Sequence, residues 1–320
     1  MGMRIVVHGQ EAFGKAVLEA LLARGENVVG VFCAPDKAGR PEDPMKLFAL
    51  EKGLTVHQPK SWRAPEALAL MQSFEPDLCV MAYVTLWVPQ AVIDAPKLGT
   101  IQYHPSLLPL HRGPSSINWA IAAGRTETGL TIFEPDEGLD EGPVILQKRV
   151  DIGPDETLGD VYFKKLFPKG VAAMVEAVDL VKAGKATKTA QDHSLATYES
   201  WFDRDAAAID WSRPMAQTYN TIRAANPQPG AWALLGGAEV QFFDAALGPA
   251  GSSGAPGEVL AVDADGILVA AGEGSIRLKR VRPAKGAKQL ASEFAAAVDL
   301  KIGARFDNAP RSPAKVAKSA

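Results

Sequence analysis

Residues 4–33 read RIVVHGQEAFGKAVLEALLARGENVVGVFC, and this stretch sets the architecture. Arg4-Ile-Val-Val-His8 is a short β-branched run that stops at Gly9. Over residues 12–24, Phe13, Val17, Leu18, Leu21 and Leu22 recur at helical spacing, and Gly25 ends the helix. Residues 27–33 (NVVGVFC) form a second apolar run. Two uniformly apolar strands separated by a helix imply a sheet covered on both faces, largely parallel and doubly wound. The alternation continues with a helix over 47–52, a brief strand over 55–57, a helix over 66–74 and a strand over 77–82 (DLCVMA). A short helix over 89–94 and a fifth strand over 99–103 (GTIQY) complete it. Right-handed crossovers then gather the strand C-termini along one edge, where ligands bind in such sheets.

Farther along, Ser115-Ser116 opens a helix over 117–123, and strands over 128–134 and 144–150 read as antiparallel additions to the sheet. A long helix over 162–182 ends at Gly184, and the polar, Thr-rich 185–198 reads as a linker. A helix over 215–225 then precedes short alternating strands over 231–235, 239–245, 258–262, 267–271 and 275–281. Gly236-Gly237, Asp265-Gly266 and Glu273-Gly274 stand at turns between them, and Asp-Gly is a strong hairpin signal. The expected organisation is a catalytic α/β domain over 1–184, a linker over 185–206 and an antiparallel barrel-like domain over 207–308. A disordered basic tail over 309–320 carries Arg311, Lys315 and Lys318.

A chain of 320 residues accommodates about two domains. Lys+Arg 34 against Asp+Glu 37 leaves a net charge of -3, which argues against a protein devoted to a nucleic-acid backbone. No run approaches the ~18 to 20 apolar residues of a membrane span. Met1-Gly2-Met3-Arg4 leads straight into a strand without a secretory signal, so a cytoplasmic location is expected. Cys33 and Cys79 both lie in apolar runs and read as buried small hydrophobes, not as a disulfide or metal pair.

Three constellations could carry chemistry. Gly9-Gln-Glu-Ala-Phe-Gly14-Lys15 follows a strand and opens a helix, but Ala16 stands where a P-loop needs Ser or Thr. The run also lacks the middle glycine of a dinucleotide fingerprint, so no NAD is predicted; Gly9 and Gly14 read instead as close helix–sheet packing. The second is Gln102-Tyr103-His104-Pro105-Ser106-Leu107-Leu108-Pro109, just past the fifth strand. His104 leaves a strand and precedes a proline, so it sits at the ligand edge outside any helix. His8, His57, His111 and His193 read as structural. The third is Asp136-Glu137-Gly138-Leu139-Asp140-Glu141-Gly142, where two glycines frame a carboxylate. The ligand spacing of a calcium loop is absent and no metal is predicted; Asp140 paired with His104 would make a general acid–base pair.

The run HPSLLPLHRG, with Asp140 in GLDEG 36 residues after His104, resembles the folate-dependent formyltransferases. That family includes glycinamide ribonucleotide, methionyl-tRNA and sugar-amine formyltransferases. The resemblance is strongest to the amino-terminal hydrolase domain of 10-formyltetrahydrofolate dehydrogenase. It extends through 28–44 (VVGVFCAPDKAGRPEDP), 116–119 (SINW), 166–170 (LFPKG), 209–211 (IDW) and 229–232 (PGAW), over roughly residues 4 to 305. It implies a Rossmann-like formyltransferase domain followed by an OB-like one. It implies 10-formyltetrahydrofolate as formyl donor, with His104 serving the oxyanion and moving the proton while Asp140 positions that ring. Leu86, Trp87, Val88, Ser106 and Asp140 would meet the folate. Gln102 is a further oxyanion contact, standing where transferases to amines carry Asn. The formyl acceptor stays open between water, an amine, a carrier protein and tRNA. Against tRNA, the loop over 36–44 holds only Lys37 and Arg40 as cations. A non-catalytic folate-binding module is the remaining alternative, which the pairing of His104 with Asp140 disfavours.

Overall fold

The computed structural model describes residues 2–310. In chain order the first elements are β1 (Arg4–Gly9), α1 (Glu11–Ala23), β2 (Asn27–Phe32), α2 (Pro44–Glu51), β3 (Val56–His57), α3 (Pro65–Ser73), β4 (Leu78–Ala82), α4 (Gln90–Ile93) and β5 (Thr100–His104). Then follow α5 (Ser116–Ala122), β6 (Glu127–Phe133), β7 (Val144–Asp151), α6 (Leu158–Val161) and α7 (Phe167–Lys182). The sheet order is β3-β2-β1-β4-β5-β6-β7. The pairs β1–β2, β2–β3, β1–β4 and β4–β5 are parallel, and β5–β6 is antiparallel. The order reverses between β1 and β4, so the crevice of this doubly wound sheet opens at Gly9 and Ala82, one strand away from His104.

Glycine permits the close contacts there. A Cβ on Gly9 would lie 2.4 Å from the carbonyl oxygen of Ala82, and one on Gly14 would lie 2.6 Å from Met45 Sδ. Gly14, whose Cβ would also lie 3.2 Å from Gly9 C and 3.3 Å from Ala82 O, serves close helix–sheet packing, whereas Gly9 is tight against the neighbouring strand. The core under this edge joins Val6, Phe32, Trp62, Met71, Cys79, Met81 and Val88. Cys33 and Cys79 are buried, and burial pushes both thiols up to about 12, which leaves them inert.

His8 lies in the same region, wholly buried against Trp62 with ring centroids 4.7 Å apart. Burial pushes its imidazole down to about 3. The unfolded chain takes up this proton near pH 6.5, whereas the folded chain refuses it until about pH 3. Stability from this group is therefore complete above pH 6.5 and is lost at up to about 1.4 kcal/mol per pH unit on acidification. His8→Leu should flatten the fall in urea-unfolding free energy between about pH 6 and pH 4. An unchanged slope would show that this histidine is not the group responsible.

The helix expected over 162–182 begins earlier, with α6, and passes through a wide π turn over Tyr162–Leu166 before α7. Pro168 explains the break: it has no N–H to give to the carbonyl four residues back, and α7 restarts around it. A second difference concerns the stretch read as a linker. Residues 185–199 belong to the compact unit formed by residues up to Ser116, Thr128–Val150 and Phe163–Glu199. Gln191 is buried within that unit.

The second unit comprises Ile117–Glu127, Asp151–Tyr162 and the described residues from Ser200 onward. It contains α8 (Met215–Ala224), β8 (Ala231–Leu235), β9 (Ala238–Leu247), β10 (Val259–Asp263), β11 (Gly266–Ala271), β12 (Gly274–Pro283), β13 (Gln289–Leu290), α9 (Ala291–Ala297) and β14 (Phe306–Asp307). The antiparallel path runs β10-β11-β12-β9-β8-β14. A bridge between Glu258 and Arg305 brings its two ends together, so the sheet curls into a barrel-like form. Trp211 fills the interior against Phe242 and Phe306. The sequence reading had no element after residue 281; α9, β13 and β14 are short and carry little periodic signal. The expected basic tail lies, from residue 311, outside the described residues. Among the described residues no helix is long and apolar enough to cross a membrane.

Candidate active site

His104 is the last residue of β5 and is buried. Its Nε2 lies 2.9 Å from the main-chain oxygen of His111, a pure acceptor, so this nitrogen carries the hydrogen. Its Nδ1 lies 3.5 Å from Asp140 Oδ2. The loop after His104 is fixed from two strands. Thr131 Oγ1 accepts from the Leu108 N–H at 3.1 Å and donates to the Ser106 carbonyl at 2.7 Å. Gln147 Nε2 donates to Leu108 O and to Thr131 Oγ1. Ser116, at the start of α5, donates through Oγ to Pro105 O at 3.0 Å and ties the same loop.

Asp140 is 9% exposed and has φ 57, a left-handed conformation that costs a non-glycine residue about 1 to 2 kcal/mol. His111, seven residues after His104, is also left-handed at φ 56. Such strain persists only where surrounding contacts over-determine it, and it concentrates at functional sites. The Gly113 N–H donates to Asp140 Oδ2 at 2.9 Å. Gln191 Nε2 donates to Asp140 O at 2.9 Å and to Gly142 O at 2.7 Å, while Gln191 Oε1 accepts from Arg112. Burial and a hydrogen bond to Glu141 hold the Tyr198 phenol above its ordinary value. His111 Nδ1 is 3.1 Å from Glu199 Oε1. Arg112, Gln191, Tyr198 and Thr131 are the members that sequence reasoning missed.

The expected folate-facing residues separate. Trp87 is 58% exposed and is not a core aromatic; the Arg63 guanidinium sits 4.8 Å from its ring centroid. With Val88, Gln90, Asp136 and Glu137 it lines a cavity of about 320 Å³. One wall therefore follows β4, and the other is the loop that carries Asp140. Leu86 is exposed next to this wall. Gln102 is half-buried and, two residues before His104 on one strand, projects to the same side of the sheet. Ser106 does not join the group. It is fully buried and its hydroxyl donates to Leu110 O at 2.6 Å, so that its one hydrogen serves the loop. Among the described residues no group of three or more His, Cys, Asp or Glu side chains is placed to hold a metal ion.

Residues 3–178 match the family model for formyl transferase, and residues 203–298 match that for the formyl transferase C-terminal domain. The mitochondrial 10-formyltetrahydrofolate dehydrogenase of Mus musculus is 41% identical over 250 residues, 77% of this chain and 27% of that protein. The chain thus spans little more than a quarter of the dehydrogenase it matches. Methionyl-tRNA formyltransferase of Geobacter sulfurreducens is 36% identical over 314 residues, 96% of this chain and 98% of that protein. The crystal structure of HypX from Aquifex aeolicus in complex with tetrahydrofolic acid superposes with a TM-score of 0.68 at 20% identity, covering 97% of this chain and 51% of that one. WlaRD, a sugar 3N-formyl transferase, gives 0.65 at 15% identity over 90% of this chain and all of the other. At such identities the two structures bear on the fold alone.

Proposed function

Because this chain belongs to the formyl transferase family, with both of the family's domains matched, we propose that it removes the formyl group of 10-formyltetrahydrofolate and releases tetrahydrofolate. The observation that carries this reading is the buried His104–Asp140 pair, whose Asp140 lies on the loop that also walls the cavity. That cavity is at the lower end of small-molecule sites, a size suited to the flat ring end of the folate.

In this reading the nucleophile attacks the formyl carbon, and the carbonyl oxygen becomes an oxyanion in a tetrahedral intermediate. The carboxylate of Asp140, directed at His104 and held by the Gly113 N–H, takes the nucleophile's proton. That proton passes from Asp140 to His104 Nδ1, 3.5 Å away, while the Nε2 hydrogen turns from His111 O to the oxyanion and then protonates the folate nitrogen as the carbon–nitrogen bond breaks. The Gln102 amide, on the same side of the sheet, supplies a second donor to the formyl oxygen.

We take water as the acceptor, with formate as the second product, on the strength of the 41% identity to the dehydrogenase. Transfer to the amine of methionyl-tRNA is the second reading, favoured by a similarity that runs the length of both chains. Tetrahydrofolate release by purified protein separates them. Prompt release in buffer alone supports water. Silence in buffer followed by release on adding charged initiator tRNA, an amino sugar nucleotide or a carrier protein names a different acceptor. No release under any of these conditions overturns the formyl-transfer reading.

A further inference from the structure

We propose that Arg112 and Gln191 are positioning residues that clamp the Asp140 loop, so that its carboxylate stays directed at His104. The proposal rests on the roles assigned above to that pair.

Three consecutive residues set both partners. The His111 carbonyl accepts from His104 Nε2, the Arg112 side chain reaches Gln191, and the Gly113 N–H donates to Asp140 Oδ2. The Arg112 side chain is fully buried. Its Nε and Nη2 lie 3.2 and 2.7 Å from Gln191 Oε1. Since a guanidinium only donates, the amide oxygen must face it, and the amide NH2 is thereby directed at the other side. There it meets two carbonyls of one tight loop, those of Asp140 and Gly142. The residue between them is gripped as well: Tyr198 OH accepts from Arg112 Nη1 and donates to Glu141 Oε1. Main-chain bonds between Arg112 and the strand-like 197–199 hold the clamp's base, with Arg112 N donating to Thr197 O and Glu199 N to Arg112 O.

The clamp thus holds residues 140, 141 and 142 from a segment that looks like a linker in sequence. Its purpose follows from the backbone of Asp140, whose left-handed φ would relax if nothing held its carbonyl. Relaxation there would carry the carboxylate away from His104 without altering the cavity wall at Trp87 and Val88.

Gln191→Glu is the discriminating variant. Its carboxylate still accepts from Arg112 but offers no N–H to the two loop carbonyls. In the whole protein, kcat for tetrahydrofolate release should fall by about tenfold or more, with the KM for 10-formyltetrahydrofolate changed by less than about twofold. The Gly113 amide should exchange its hydrogen about tenfold faster. A purely structural role would instead lower kcat and melting temperature together and leave Gly113 as protected as the rest of its unit. Unchanged Gly113 exchange in folded Gln191→Glu overturns the clamp, whatever the activity. If that variant does not fold, Tyr198→Phe decides. It removes the hydroxyl bridge between Arg112 and Glu141 and leaves their direct 3.8 Å ion pair, and should speed Gly113 exchange and lower kcat severalfold; no change in either overturns the clamp. Wild-type protein inactive with every acceptor overturns the reading of the pair, and the exchange result then judges the clamp by itself.

Discussion

His104→Ala and Asp140→Asn should each lower kcat for tetrahydrofolate release by about 10² to 10⁴, the range for losing a positioned general acid or base. The two substitutions test different things. His104→Ala removes the ring that faces both His111 O and Asp140, and so removes the proton donor outright. Asp140→Asn keeps the shape and keeps an oxygen for the Gly113 N–H, but abolishes the charge that can take a proton. Its fold should survive, because the loop is also held through main-chain carbonyls by Gln191. Both variants should bind a non-reactive folate analogue within a few-fold of wild type, since Trp87, Val88, Gln90, Asp136 and Glu137 are untouched. The double variant should lose little more than the worse single one, as groups that act as a unit are not additive. Steady-state turnover with a melting curve for each protein checks this; near-normal turnover in either single variant removes the pair from the chemistry.

What the sequence could disclose follows from what is local. The apolar runs of β1, β2 and β4, the helical spacing between them and the glycines at β8–β9 and β10–β11 turns are signals written within ten residues, and they identify the sheet and the barrel-like unit. His104 was legible because a strand end followed by proline fixes it at the ligand edge, and Asp140 because glycines frame it. Trp87 had an equal claim to the core, which only its exposure decides. Gln191 was not legible, since it reaches Asp140 across 51 positions and Arg112 across 79. A polar, Thr-rich stretch looks the same whether it drifts in solvent or carries a buried amide. Ser106 differs for another reason: the resemblance implies a folate contact there, but the chain turns after Pro105 and the buried hydroxyl is spent on Leu110 O.

Gly142→Ala should be among the most damaging small substitutions in the candidate site. A Cβ there would sit 1.8 Å from the Glu134 carbonyl oxygen and 3.0 Å from its carbon. Both belong to backbone fixed by the Glu134 N–H to Pro143 O bond at 3.0 Å, so no side-chain rotation can relieve the contact. Forced overpacking costs about 1 to 3 kcal/mol, and a rigid backbone neighbour places this case at the upper end. The chain has two ways to yield. If β6 and the loop separate, urea unfolding should report the loss directly. If the loop shifts instead, Gly142 O leaves Gln191, Asp140 moves with it, and a displacement of ~1 Å lowers turnover by about 10². Gly138→Ala is the milder comparison: the added Cβ meets only the Glu141 side chain, which can move, so at most the severalfold loss of turnover expected for Tyr198→Phe should follow. It should leave stability within about 1 kcal/mol of wild type. Wild-type stability and turnover in Gly142→Ala would mean that the close approach of Glu134 and Gly142 is not what holds the carboxylate loop. Loss in Gly142→Ala well beyond that in Gly138→Ala assigns to one of the two framing glycines the task of bringing Asp140 within reach of His104.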